Sequence, residues 1–175
     1  YIHRVFERYG LSVWRQQYSV AVPIDHGADV SILNEDGLPE KVIEAYAIWP
    51  NLIQTSRIPR NAPLEGFIRY VDDGDLEDFD DKKIEGAIVL MEFNSKDNWV
   101  NAAKLGAKGV IFIAPSETAW NEARSKILIT PIHFPRLYIS IEDGIFLKEL
   151  ALSGETKVRI VSDMGYEMIE AENVI

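Results

Sequence analysis

The spacing of hydrophobic residues changes several times along the chain, and each change predicts a different element. At the start, apolar residues at helical spacing precede Gly10 and predict a helix over residues 1–10. The following segments are rich in aromatic and β-branched residues, which favour strands. Strands are predicted over residues 14–24, 28–33, 42–49 and 66–71, with a turn at 34–37 and a proline-rich connection over 50–63.

The middle of the chain has a different pattern. Residues 86–91 (GAIVLM) and 109–114 (GVIFIA) are short, continuous apolar runs, as is typical of strands buried on both faces. Residues 97–105 between them have helical spacing, and Gly106 supplies a stop. A strand, a helix and a second strand within this length predict a right-handed βαβ crossover.

The remaining elements complete a mixed α/β (α+β) prediction. Two helices are expected over residues 117–126 and 142–152, and three strands over 136–140, 156–161 and 166–170. No internal repeat or low-complexity tract interrupts this order, so the pattern predicts one globular domain.

Composition and charge exclude several function classes. The 175 residues include no cysteine, which excludes disulfide scaffolds, thiol catalysis and cysteine-based zinc sites. Lys and Arg number 18 against 28 Asp and Glu, a net charge of −10 without any basic cluster, so no nucleic-acid partner is expected. The longest apolar run, residues 109–115, is too short for membrane insertion. Because the chain opens on Tyr1 rather than Met, we expect it to be a piece of a longer protein.

Candidate catalytic and metal-binding residues are few. His3, His26 and His133 are scattered, without the spacing of metal ligands. No Gly-x-Ser-x-Gly motif or phosphate-binding glycine loop occurs, since Gly106 and Gly109 lie between a helix and a strand rather than the reverse. Residues 72–81 hold seven carboxylates that could suit calcium, but the EF-hand pattern fails, and the run favours a short surface helix with solvated acids.

Four segments resemble the protease-associated (PA) domain family in order and spacing. They cover roughly the central half of the chain and comprise residues 84–90 (IEGAIVL), 101–107 (NAAKLGA), 109–112 (GVIF) and 135–147 (PRLYISIEDGIFL). The chain departs from the family after the first of these, where many members carry Arg-Gly and this sequence has Glu92-Phe93. The resemblance implies a PA-type β-sandwich or open barrel flanked by short helices.

Both ends resemble zinc exopeptidases that carry a PA domain as an insertion, namely aminopeptidases and proteins of the glutamate carboxypeptidase and transferrin receptor type. Residues 1–11 are similar to the first helix of those proteins, and residues 172–175 (ENVI) to the start of a peptidase strand. We therefore expect residues 1–40 to be shared with the host peptidase or to flank the PA core, 41–165 to form the PA domain, and 166–175 to begin the connection to a catalytic domain. The family's zinc ligands would lie beyond Ile175.

The resemblance implies a non-catalytic domain that shapes substrate access or contacts peptides and proteins, with the host peptidase as its partner in cis. It also implies an extracellular or periplasmic location and no cofactor in this segment. Among the tryptophans, Trp14 and Trp99 are expected in the core. The expected interaction surface lies on exposed loops and comprises Trp49, Trp120, Arg124 and His133.

Two other functions stay open. A free-standing PA-type module would bind peptides or proteins without a peptidase domain, and its first helix should then pack fully into the domain. In a peptidase segment, the same helix should lie outside the PA core with its apolar face partly uncovered. A small α/β enzyme is the third reading, and the missing phosphate loop counts against it.

Overall fold

A computed structural model describes residues 1–175 and has a mixed α/β fold with seven strands and four helices. The helices are α1 (Ile2–Arg8), α2 (Trp99–Lys104), α3 (Trp120–Ser125) and α4 (Ile141–Ser153). The strands are β1 (Arg15–Leu33), β2 (Pro39–Ala47), β3 (Leu64–Tyr70), β4 (Ile88–Glu92), β5 (Gly109–Ile113), β6 (Arg136–Ile139) and β7 (Lys157–Val174).

Local sequence marks the start of α4 and the end of α2. Ser140 caps α4, because its hydroxyl accepts a hydrogen bond from the backbone N–H of Asp143 at 3.1 Å. After α2 the chain turns at Gly106 with φ of 83°, a left-handed conformation that glycine adopts without strain. The predicted stop at Gly106 is therefore confirmed.

The strands form a ring in the order β1-β2-β6-β5-β4-β3-β7, in which β7 and β1 close the barrel. Strands β3, β4, β5 and β6 are parallel neighbours, whereas β2 is antiparallel to β1 and to β6. The β4-α2-β5 unit is the predicted crossover between parallel strands. The open barrel or sandwich of the prediction is wrong, because the last strand pairs with the first and leaves no open edge.

Two hydrophobic clusters lie on the two faces of the parallel strands. Ile88 and Ile111 belong to the larger cluster, which also contains residues of β1, β2, β7 and α4. Val89 and Val110 belong to the second cluster, which is built around Trp99 of α2. Residues alternate between the two clusters, so β4 and β5 are buried on both faces, as predicted.

Two pairs of predicted strands are each a single long strand. Residues 14–24 and 28–33 both fall within β1, and 156–161 and 166–170 both fall within β7. In β1 the predicted break between residues 24 and 28 is bridged by Asp25. Its carboxylate accepts hydrogen bonds from the backbone N–H of Gly27 at 3.0 Å and of Ala47 in β2 at 2.8 Å. A side chain thus replaces the regular strand ladder there.

The chain divides into two compact units. The core unit, Asp25–Gly165, contains the two hydrophobic clusters. The ribbon unit comprises Tyr1–Ile24 and Tyr166–Ile175, that is, α1 and the outer parts of β1 and β7. No residue of α1 is buried, and none of the four helices is long and apolar enough to cross a bilayer.

Candidate interaction surfaces

Two loops of the core unit are joined by Asn51, whose side chain is completely buried. Its amide nitrogen donates to the carbonyl of Ile132 at 3.1 Å, and its amide oxygen accepts from the backbone N–H of Leu128 at 2.9 Å. The backbone N–H of Leu52 also donates to the carbonyl of Leu128 at 3.1 Å. These bonds fix the loop that follows β2 against the loop that precedes β6.

Arg136, a buried residue of β6, joins the same two loops. Its guanidinium donates to the carbonyl of Trp49 at 2.8 Å and to the carbonyl of Lys126, and it lies 5.0 Å from the ring of Trp99. The side chain is fully buried, faces no carboxylate, and leaves Nε without a partner. Burial lowers the pKa of Arg136 to about 10, because the charged form loses its hydration.

Lys126 is a second buried cation beside it. Its ammonium group lies 3.5 Å from the Glu122 carboxylate, donates to the carbonyl of Lys96, and faces the rings of Phe93 and Phe112 at 5.1 and 5.4 Å. Burial lowers the pKa of Lys126 to about 8, although the negative charge of Glu122 opposes this shift. Two buried cations, Lys126 and Arg136, thus form the base on which these loops lie.

Above this base the two loops and α3 expose large apolar side chains. We call the exposed residues of this region the loop surface; it comprises Trp49, Leu52, Ile53, Trp120, Arg124, Ile127, Ile129, Ile132 and His133. Ile129 is 91% exposed and Ile53 is 66% exposed, which is unusual for such residues. Residues 48–56 carry no charge, and 119–135 carry only Glu122, Arg124 and Lys126.

The four residues expected from the sequence all lie at the surface of the core unit. Trp49 is 54% exposed and Trp120 81% exposed, and both Arg124 and His133 are exposed. The hydrogen bonds of Asn51 and Arg136 bring the loops of Trp49 and His133 together. Whether these residues bind a partner remains a proposal.

Sequence reasoning missed the aliphatic residues of the loop surface and the buried cations beneath it. Leu52, Ile53 and Ile129 lie in segments with prolines and no regular period, and such segments indicate loops without telling which side chains face solvent. One feature of the sequence could have indicated this surface. Consecutive aliphatic residues occur there within loops that carry almost no charge. Lys126 and Arg136 were missed because charged residues are almost always exposed.

The ribbon unit presents a second apolar surface. The backbone groups of Trp14 and Ile175 exchange two hydrogen bonds of 2.9 and 3.0 Å, which makes the ribbon antiparallel and fixes its register. Alternate residues then share one face, which we call the ribbon face; its apolar members are Trp14, Tyr18, Val20, Ile169 and Ile175. These side chains are 37–60% exposed. The prediction that Trp14 belongs to the core is wrong, because no layer of the ribbon unit covers it.

Polar side chains also meet where β3 and β4 end. The Tyr70 hydroxyl donates to Glu92 at 2.7 Å and lies 3.0 Å from Asp72, while Lys148 of α4 donates to the Tyr70 oxygen at 2.6 Å. Burial raises the pKa of Tyr70, and its bonds to Glu92 and Asp72 raise it further. The members of this cluster thus hold one another in place through hydrogen bonds.

The acidic run contains a single 3₁₀ turn, Leu76–Phe79. Asp75 and Asp78 cap this turn, and Asn98 donates to the Asp75 carboxylate at 2.9 Å. Nowhere does the chain bring three or more His, Cys, Asp or Glu side chains into a group that could hold a metal ion. The run thus contains a short 3₁₀ helix, in line with the predicted short helix. That its acids are solvated rather than a calcium site stays a prediction.

The fold occurs as part of larger peptidases. It matches 99% of this chain to an aminopeptidase from Aneurinibacillus sp. strain AM-1, with a TM-score of 0.60 and 19% identity. It matches 98% to a peptidase M28 precursor from Shewanella amazonensis SB2B, with a TM-score of 0.62 and 16% identity. A subtilisin-like protease, Apa1, from the Antarctic Pseudoalteromonas sp. AS-11 matches 85% of the chain with a TM-score of 0.50 and 16% identity.

The chain spans 40%, 42% and 35% of the lengths of those three chains. At such identities the similarity is one of fold. No family model matches the sequence, and no curated protein matches it either.

Proposed function

We propose that the core unit is a non-catalytic protease-associated domain of a zinc exopeptidase of the aminopeptidase type. In this proposal the loop surface contacts peptides or proteins and shapes the access of substrate, while the ribbon face packs on the peptidase domain of the same polypeptide. The domain then comprises Asp25–Gly165 and begins nearer the N-terminus than the boundary at residue 41 expected from the sequence.

The observation that carries the proposal is the extent of the fold match. It covers 99% and 98% of this chain within an aminopeptidase and a peptidase M28 precursor, so it includes the ribbon unit as well as the core unit. A two-stranded ribbon is marginally stable by itself, and its apolar face needs cover. A peptidase domain in the remainder of a longer polypeptide would supply that cover.

The kinds of protein that share the fold support a non-catalytic role. The fold recurs in chains described as an aminopeptidase and as a subtilisin-like protease. One fold that accompanies two kinds of peptidase is more easily explained as an accessory domain than as the catalytic machinery of either.

The position of α1 favours this proposal over a free-standing binding module. A module that functions alone should pack its first helix into the domain, but α1 belongs to the ribbon unit and has no buried residue. Ile2 is 54% exposed and Tyr9 is 78% exposed. This pattern is expected for a helix that contacts another domain.

Zinc belongs to the proposed peptidase domain and not to this chain. The side chains present do not fit a metal site, since no group of three ligating residues exists, and we assign no hydrolytic step to them. When bound in the peptidase domain, zinc would activate the hydrolytic water.

The first test is to read the coding sequence on both sides of this segment. We expect a His-x-Asp motif followed by Glu-Glu, Asp and His ligands downstream of Ile175.

The second test compares the full polypeptide with its Ile53→Ser and Ile129→Ser variants on an aminoacyl anilide and on peptides of about ten residues. Access control predicts that kcat/KM changes for the peptides and stays constant for the anilide. Absence of the ligands would refute the peptidase role, and equal changes on both substrates would refute access control.

A further inference from the structure

The tip of the first loop is an apolar turn with a strained backbone. Asn51 and Gln54 exchange backbone hydrogen bonds of 3.0 and 2.9 Å, which close a turn with Leu52 and Ile53 at its centre. Leu52 has φ of 54°, in the left-handed region where a leucine is strained, and strain of this kind clusters at sites that contact ligands. Leu52 and Ile53 are 55% and 66% exposed. The turn therefore presents two large aliphatic side chains to solvent.

An exposed arginine lies beside these aliphatic side chains. Arg124 is in the last turn of α3, and its carbonyl accepts a hydrogen bond from the backbone N–H of Ile127 at 3.2 Å. The carbonyl of the next residue, Leu128, accepts from the backbone N–H of Leu52 at 3.1 Å. The chain thus leads within four residues from an exposed cation to the apolar turn of the other loop.

Arg136 adds a buried positive charge beneath this surface. Its guanidinium donates to the carbonyl of Trp49, whose side chain is 54% exposed. Burial alone shifts the pKa of Arg136, so no carboxylate offsets its charge. A buried charge without an opposite charge is unfavourable, and its field is screened less than that of an exposed charge. An anionic group bound over the loops would therefore be stabilised by Arg136 as well as by Arg124.

The negative groups nearest to these loops act on another cation. Glu122 is the one acid within residues 119–135, and together with Asp97 and Asp73 it acts on the ammonium group of Lys126. The net charge of −10 arises from the rest of the chain. At physiological salt, exposed charges more than about 8 Å apart are largely screened, so a ligand in contact with the loops responds mainly to the local cations.

We propose that the loop surface binds an acidic polypeptide segment whose apolar side chains pack on Leu52, Ile53 and Ile129. Asp or Glu side chains that flank this apolar core pair with Arg124. This inference rests on the proposed function, since it gives the partner chemistry of the surface through which the domain contacts peptides. The buried hydrogen bonds beneath the loops hold both loops in place before the partner arrives, which lowers the entropy cost of binding.

Two other occupants fit these observations less well. A second copy of the chain could offer its acidic run, residues 72–81, but Leu76 is the one exposed apolar side chain of that run, because Phe79 is buried. A membrane of anionic lipids would meet a single exposed arginine on this surface and would be repelled by the charge of −10. Self-association and vesicle binding are therefore contrary outcomes of the test.

The test uses the 175-residue chain and three blocked twelve-residue peptides that share one Leu-Val-Phe core, flanked by Glu, by Ser or by Lys. Titration calorimetry at physiological salt should give at least about fivefold tighter binding for the Glu-flanked peptide than for the Lys-flanked peptide, with the Ser-flanked peptide between them. Equal affinities, or a preference for the Lys-flanked peptide, would overturn the inference.

Substitutions then separate the charge contact from the apolar contact. Arg124→Gln should lower the preference for the Glu-flanked over the Lys-flanked peptide at least about threefold. Ile129→Ser should weaken binding of all three peptides at least about fivefold and leave that preference unchanged. Lys104→Gln is the matched control for Arg124→Gln, because Lys104 is also an exposed cation in the last turn of a short helix, α2, and it should change neither quantity.

Several results would contradict the inference. These are equal effects of Lys104→Gln and Arg124→Gln, no binding of any peptide, a concentration-dependent dimer, or binding to phosphatidylserine vesicles instead. Any of these results together with intact zinc ligands in the flanking sequence would leave the peptidase proposal standing.

Discussion

Asn51 shows how one buried polar side chain can determine the shape of a surface. Asn51→Ala leaves the N–H of Leu128 and the carbonyl of Ile132 without their partners. We expect a loss of about 2–4 kcal/mol in the free energy of unfolding, because each buried unpaired group costs about 1–3 kcal/mol. Urea denaturation measures it, with Asn121→Ala as the control, since Asn121 is exposed in α3. A loss below 0.5 kcal/mol, the usual range for surface substitutions, would show that the loops are not held this way.

Leu52 has φ of 54°, a left-handed backbone conformation, whereas its neighbour Ile53 has no positive φ. Asn adopts the left-handed conformation of Leu52 readily, so Leu52→Asn should raise the free energy of unfolding by up to about 1 kcal/mol. Ile53→Asn makes the same chemical change in the same turn, but Ile53 has no positive φ, so no gain in stability is expected. Thermal unfolding of the two variants side by side tests this, and equal shifts in Tm would contradict the role assigned to strain.

Lys126 predicts a pH dependence of stability. Its pKa is about 8 in the folded chain and near 10.5 when unfolded, so between these values the unfolded chain binds more protons. The free energy of unfolding should therefore rise with pH across this interval, by of the order of 3 kcal/mol from this group. In Lys126→Met that contribution should be absent. Urea denaturation of wild type and variant at pH 7.5 and pH 10 measures this contribution. If the free energies of unfolding of the two proteins differ by the same amount at both pH values, the lowered pKa of Lys126 is contradicted.

At the scale of elements, α4 packs so closely on β5 that there is no room for a methyl group at Gly144. A Cβ atom at Gly144 would lie 2.2 Å from Cγ2 of Ile113, a buried β-branched side chain that cannot move aside. Gly144→Ala should therefore destabilise by about 1–3 kcal/mol, although glycine to alanine in a helix normally stabilises. Gly154→Ala, at a site with no atom within 4 Å, should be neutral. Equal midpoints in urea for the two variants would disprove this packing argument.

The elements that the sequence predicts correctly are those whose pattern has one physical cause. The continuous apolar runs of β4 and β5 can only be buried on both faces, and Gly106 ends α2 because its φ is positive. The errors arise where groups that are distant in the sequence determine the local structure or its burial. The carboxylate of Asp25 joins two predicted strands into β1, and the exposure of Trp14 depends on what covers the ribbon. For the loop surface, the sequence indicates loops and tryptophans but not the buried Arg136 that joins the loops.

At the scale of the whole molecule, the two units differ in how their strands are stabilised. Strands β4 and β5 are buried on both faces, whereas the ribbon of β1 and β7 has one apolar face exposed to solvent and no buried residue before Asp25. Because local opening requires less free energy where few apolar groups are buried, the two units should unfold unequally. We therefore expect the order of the ribbon unit to depend most on a partner that covers its apolar face.

Hydrogen exchange followed by mass spectrometry tests this dependence directly. In the 175-residue chain, the amides of residues 15–20 and 169–174 should exchange at least a hundredfold faster than those of Ile88–Glu92 and Gly109–Ile113. In the full polypeptide the ribbon should gain protection while β4 and β5 stay unchanged, because a peptidase domain would cover Trp14 and Tyr18. Trp14→Ser should remove part of that gain. Equal protection of ribbon and barrel in the isolated chain would mean that the ribbon face needs no partner, and docking on a peptidase domain would lose its physical basis.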